Sequence, residues 1–89
     1  MKAVLVEFIG SFVFLLVILA TGNFLAIGAT LALCILVGAK YSGANFNPAV
    51  TVMMVVAKKQ NMDTLLPYIT AQVLGGLAAF AAWKTLSFF

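Results

Sequence analysis

No charged side chain stands between Glu7 and Lys40. An apolar stretch of that extent, residues 8 to 39, is far more than a chain of 89 residues can hide from water inside a small globule. A bilayer crossing needs about 20 apolar residues at 1.5 Å each, so the stretch holds one long crossing or two short ones. Across the whole chain 65% of residues are hydrophobic and 8% are charged. A soluble domain carries about 25% charged residues, roughly three times as many, to coat its surface. This is the composition of a membrane protein.

The same inventory excludes several chemistries. There is no His, no Arg and a single cysteine, Cys34. A disulfide framework and a Cys/His metal cluster are therefore ruled out. Ser/His/Asp and Cys/His catalysis both lack their imidazole. The net charge of +3 is small and scattered, so the basic balance is no argument for nucleic-acid binding. Lys2, the apolar run after it and the small residues Ala20, Thr21 and Gly22 have the outline of a cleaved signal peptide. Glu7 inside the run and equally apolar sequence downstream argue against one.

Turn chemistry divides the chain. A first crossing is expected over about 3–21, ending at Gly22-Asn23, both tolerant of left-handed backbone. A second is expected over about 24–39, antiparallel to the first because the linker is so short. Gly28 and Gly38 on it would admit close helix neighbours. The segment Tyr41 to Pro48 breaks the helix, and Asn47-Pro48 starts another, with Asn as cap and Pro at the first helical position. The apolar run 49–57 that follows ends at Lys58-Lys59, where the negative end of a helix dipole favours cations. A third crossing is expected over about 65–86, capped by Asp63 or Thr64, with Tyr68 and Trp83 near its ends in the headgroup zone. The fold class is an all-α membrane protein of three crossings plus one half-helix, all in a single unit over 1–89.

The run 49–57 makes about 13 Å of helix, less than half of a ~30 Å hydrocarbon core. It cannot cross. It also lacks the strongly polar face of a helix lying flat in the interface, which favours re-entry over about 41–58. A helix whose N-terminus lies inside the membrane points unpaired N–H groups and a positive dipole end at whatever stands there. Read from the residues, Asn47 is either a donor at that tip or no more than an N-cap. Glu7 is either a braced buried carboxyl group or one that reaches water near the headgroups. Cys34 reads as a small lipid- or helix-facing residue, since nothing cationic adjoins it, and Met53-Met54 as packing of the half-helix.

Ser42-Gly43-Ala44-Asn45-Phe46-Asn47-Pro48-Ala49-Val50-Thr51 resembles the signature of the aquaporin and glycerol-facilitator family. Val6-Glu7-Phe8-Ile9-Gly10 looks like the family's first helix, and Tyr68 to Gly76 like its third. The likeness covers essentially the whole chain but half of an ordinary member, which has two inverted repeats. Val50 after the tripeptide makes this one look like the first. The resemblance implies a passive channel without cofactors, in which two half-helices meet at the midplane and Asn47 donates hydrogen bonds to passing water. Pro48 and Ala49 would lock the tips together. Backbone carbonyls of Gly43, Ala44, Asn45 and Phe46 would line the approach. Glu7 and Gln72 would brace the loop from behind.

One repeat leaves its polar loop facing lipid, so a partner is required. An antiparallel pair about a twofold axis in the membrane plane rebuilds the pore, and pairs could assemble further into a tetramer of pairs. With the N-terminus in the cytoplasm, Lys2, Lys40, Lys58 and Lys59 lie inside and Lys84 outside. That bias favours one orientation, which leaves dual insertion, an oppositely inserted relative, or a fragment as the readings. Water-selective members place an Arg after the second tripeptide. Here Val50 stands there, and the remaining filter positions would be Ile27, Ile35 and Ala44. An all-apolar filter implies a low-selectivity pore for water, glycerol and dissolved gases. The competing reading is a non-conducting subunit that pairs with a full-length channel through Gly28 and Gly75-Gly76. A small membrane enzyme ranks last, because Glu7 and Asp63 are the only acids and no base pairs with them.

Overall fold

The computed structural model describes residues 2–86, so Met1 and residues 87–89 of the single unit expected over 1–89 lie outside the described residues. Helix α1 spans Lys2–Thr21, α2 Phe24–Ser42, α3 Pro48–Val56 and α4 Leu65–Leu86. A short 3-10 turn, Met62–Thr64, leads directly into α4. Three helical stretches are long and apolar enough to cross a membrane: α1, α2, and the 3-10 turn with α4. Helix α3, at about 13 Å, is not. Among the described residues the architecture is all-helical: three stretches of crossing length and one short helix between the second and the third.

Local chemistry sets each boundary. After α1, Gly22 takes a left-handed φ of 56°, and its N–H closes on Ile18 O at 3.0 Å. Asn23 Oδ1 then accepts from Ala26 N at 3.0 Å, capping α2 within two residues of the end of α1. The second helix runs past Ala39 through Lys40 and Tyr41 to Ser42, because what stops it is Gly43 at φ 82°, not the charge. The C-terminus of α3 closes as a Schellman motif, with Lys58 N bonded to Val55 O and Lys59 N to Met54 O. Its left-handed position, usually glycine, is Lys58 at φ 62°. The start of α4 differs from the capping expected of Asp63 or Thr64. The Thr64 hydroxyl donates back to Asn61 O at 2.6 Å, and the 3-10 turn supplies the entry.

Small residues decide the packing. A methyl on Gly75 would stand 2.7 Å from Phe8 O and 3.0 Å from Ser11 Cβ, so α4 lies against the backbone of α1. Between α1 and α2 the gap is filled by a ring instead: a methyl on Gly10 would collide with Phe46, and one on Gly38 would lie 3.1 Å from Phe46 and from Val6. Gly28 has nothing within 4 Å and joins no helices in this chain. Buried residues of α4 form one stripe, Tyr68, Ala71, Gln72, Gly75 and Ala79, at the three- and four-residue spacing of a single helix face. The stripe faces α1 and α3. Tyr68, in the first turn of α4, faces into the bundle and not out to its surroundings, because its hydroxyl donates to Ser42 O at 2.8 Å.

Candidate functional site

The re-entrant loop is built on a carboxylate. Glu7 is fully buried on the inner face of α1. Its Oε2 accepts from Ser42 Oγ at 2.7 Å and Asn45 N at 3.0 Å, and its Oε1 from Phe46 N at 2.7 Å and Gln72 Nε2 at 2.8 Å. Loop backbone, the end of α2 and the middle of α4 thus converge on one side chain from the first helix. The loop backbone must twist to do so. Gly43, Ala44 and Phe46 have φ of 82°, 53° and 56°. A left-handed L-residue costs about 1–2 kcal/mol, whereas a hydrogen bond to a charged acceptor contributes about 1.5–3 kcal/mol. The bonds to Glu7 win, and the strained loop persists.

A second layer ties the loop to α3. Asn45 Nδ2 donates to Thr51 Oγ1 and to Gln60 Oε1, both at 2.9 Å. Thr51 Oγ1 also accepts from Gln72 Nε2 at 2.8 Å and donates to Asn47 O at 3.3 Å. Ser42 Oγ accepts from Ala44 N at 3.1 Å. Side chains of Ala44, Asn45 and Phe46 are buried, and Phe46 drives its ring between Gly10 and Gly38. Gly43 and Asn47 remain at the surface of the loop.

Asn47 stands at the tip. Its backbone is extended, its Oδ1 accepts from Ala49 N at 2.8 Å, and the residue is exposed. Committing the oxygen to the cap leaves the NH2 end of the amide for an outside partner. Pro48 occupies the first helical position, where its missing N–H removes no bond. Ala49 is exposed and Val50 half-buried on the first turn of α3. In the first turn Ala49 N–H goes to the cap and Thr51 N–H to Asn47 O, which leaves the Val50 N–H and the positive dipole end of the helix beside Asn47.

The apolar positions Ile27, Ile35, Ala44 and Val50 are spread out. Ile27 and Ile35 lie about 12 Å apart along α2, too far to share one level of a constriction. Ile35 is exposed and Ala44 buried. On α3, Met53 points outward and Met54 is half-buried, so only Met54 packs within the chain. An apolar cleft of about 360 Å³ between α1 and α2 is lined by Val6, Val13, Leu33, Val37 and Phe46, with Cys34 at its side. It offers no polar group to hold a polar ligand. Among the described residues no group of three or more His, Cys, Asp or Glu could hold a metal ion.

Reasoning from sequence missed Ser42, Thr51, Gln60 and Tyr68. Tyr68 carried a signal: it lies four residues before Gln72, hence on the same helix face. Ser42 and Thr51 bracket the loop segment, and polar side chains in so apolar a chain need partners. Gln60 had no local signal.

A sequence profile described as Major intrinsic protein matches residues 1–88. Glycerol uptake facilitator protein-like 6 of Lactiplantibacillus plantarum is 37% identical over 94 residues, covering 96% of this chain and 44% of that protein. Aquaglyceroporin-2 of Rhizophagus irregularis is 46% identical over 66 residues, 70% of this chain and 21% of its own length. Aquaporin Z of Brucella melitensis is 42% identical over 60 residues, 67% of this chain and 26% of its own length. The chain thus spans less than half the length of these relatives. No solved structure matches it significantly.

Proposed function

This chain belongs to the major intrinsic protein family, and on that premise we propose that it supplies one half of a membrane channel for water and small neutral solutes such as glycerol. The other half is a second copy, inserted antiparallel about an axis in the membrane plane. The observation that carries the reading is Asn47: an exposed amide on the tip of a helix too short to cross, held by a loop whose other side chains are buried. A polar tip of that kind is tolerated at membrane depth only when protein covers it or water meets it. Two such tips abutting supply both conditions. Their amide donors would face a file of water, and their dipole ends would disfavour cations. Carbonyls of Gly43 to Phe46 line the approach, and Glu7 and Gln72 hold the loop from behind. The chain has no Arg, and Ile27, Ile35, Ala44 and Val50, at whatever level each stands, bring no fixed cation, so discrimination among small neutral solutes is low. Pairs can gather into a tetramer of pairs, with membrane lipid around them.

Stopped-flow light scattering on proteoliposomes tests this. Osmotic permeability above that of empty vesicles is expected, and equality with empty vesicles rejects the pore.

A second reading rests on the lysines. Lys2, Lys40, Lys58 and Lys59 fall on one side and Lys84 on the other, which favours a cytoplasmic N-terminus in a single orientation. The partner is then an oppositely inserted relative or a full-length channel, and the chain alone does not conduct. A cysteine at position 58, in a chain with Cys34 replaced by Ala, separates the two by labelling from each side of sealed vesicles. Access from both sides fits the antiparallel homodimer; access from one side selects the relative.

A further inference from the structure

Asn45 lies within the loop, 5% exposed, and both protons of its amide are used. One goes to Thr51 in the first turn of α3. The other goes to Gln60, which lies beyond the far end of the same helix and whose side chain reaches back along it. Gln60 then passes the connection on: its Nε2 donates to Thr64 Oγ1 at 2.8 Å, and Thr64 Oγ1 to Asn61 O at 2.6 Å. An unbroken line of hydrogen bonds therefore joins the re-entrant loop to the turn between α3 and α4.

We infer that Gln60 is a positioning residue: its amide latches the α3–α4 turn to Asn45 and so sets the depth and tilt at which Asn47 stands. The functional meaning of this latch rests on the half-pore reading. Helix α3 has nine residues and buries Thr51 near its start and Val55 near its end against the bundle. A tether from beyond its C-terminus to the amide that anchors its first turn adds a polar link to that apolar packing and fixes the register of the turn against the loop. The chemistry suits the place. Asn45 and Gln60 each offer a donor and an acceptor on one amide. Losing the Gln60 oxygen leaves a buried donor on Asn45 without a partner, and the loop is the element free to relax. The turn that Gln60 holds also contains Lys58 in its left-handed conformation, which by itself favours opening.

The test is amide hydrogen exchange on the full chain in lipid nanodiscs, comparing the unaltered protein with Gln60→Leu and Gln60→Glu. Leucine keeps the volume and loses both hydrogen bonds; glutamate keeps the acceptor for Asn45. With Gln60→Leu, exchange at Asn45 and Phe46 should quicken about fivefold, while amides at the α1–α4 contact around Ser11 and Gly75 keep their rates. Gln60→Glu should restore slow exchange in the loop. Unchanged loop exchange in Gln60→Leu, or a rise shared equally by the α1–α4 contact, overturns the latch. Osmotic permeability of the same three proteins forms the second arm: a fall with Gln60→Leu and recovery with Gln60→Glu is expected. If the unaltered protein does not conduct, the pore reading fails while the exchange result still decides the latch.

Discussion

Gln72 Nε2 donates to Glu7 Oε1 at 2.8 Å across 65 residues of chain, joining the middle of the last helix to the first. The same nitrogen reaches Thr51 on the half-helix, so one amide binds three elements. Around this contact the other donors of the loop gather, and the consequences can be measured.

Replacing Glu7 by Leu strands the Ser42 hydroxyl proton, the N–H groups of Asn45 and Phe46, and one of the two Gln72 amide protons, the other still bonded to Thr51. Each unsatisfied buried donor costs about 1–3 kcal/mol. The loss should exceed about 3 kcal/mol, read as a lowered unfolding midpoint in detergent. Glu7→Gln should fall between, because its NH2 end faces a backbone donor that cannot reverse. A Glu7→Leu protein that melts like the unaltered one, and assembles and conducts normally, removes the bracing role.

Phe46 and Gly10 are coupled by shape. Gly10→Ala puts a methyl into the ring, an overpacking of about 1–3 kcal/mol. Adding Phe46→Ala should relieve part of that loss, giving a non-additive double-mutant cycle. Additive effects would mean that the ring is not the obstacle.

Lys58 stands where the Schellman motif favours glycine. Lys58→Gly should stabilise the protein by roughly 0.5–1 kcal/mol, the relief of left-handed strain less the added freedom of the unfolded chain. Thermal unfolding in detergent reads it; a lower midpoint contradicts the assigned backbone strain.

Asn47→Asp separates capping from donation. Aspartate caps α3 as well as asparagine but has no NH2 to offer. The capping part of stability should change by less than about 0.5 kcal/mol, any further loss being the cost of a carboxylate at membrane depth, while osmotic permeability falls. Asn47→Ala should lose both, with about 0.5–2 kcal/mol from the cap. Unaltered permeability in Asn47→Asp would show that the donor has no part in conduction.

Read alone, the residues already contained the helices. Charge-free runs of crossing length, the Gly22-Asn23 break and the Asn47-Pro48 start are local signals, since each depends on the conformational preference of one or two residues. The short run after Pro48 could be seen as too short to cross for the same reason: length along a helix is arithmetic. What a buried polar side chain touches is not local. Tyr68, placed by its sequence at a helix end, turned inward because Ser42 O was within reach.

The helix lengths, their breaks and the membrane as solvent were thus written in the order of the residues. Tertiary packing alone decided that four donors from three separate segments would meet Glu7, that Phe46 would wedge against Gly10, and that Gln60 would fold back to Asn45. Most polar groups among apolar neighbours find a partner, though Ser11 Oγ and Gln72 Oε1 have none among the described residues, and which partner depends on how the helices lie against one another. Here that arrangement is set by close contacts at Gly75 and Gly10, through space and far apart in the chain.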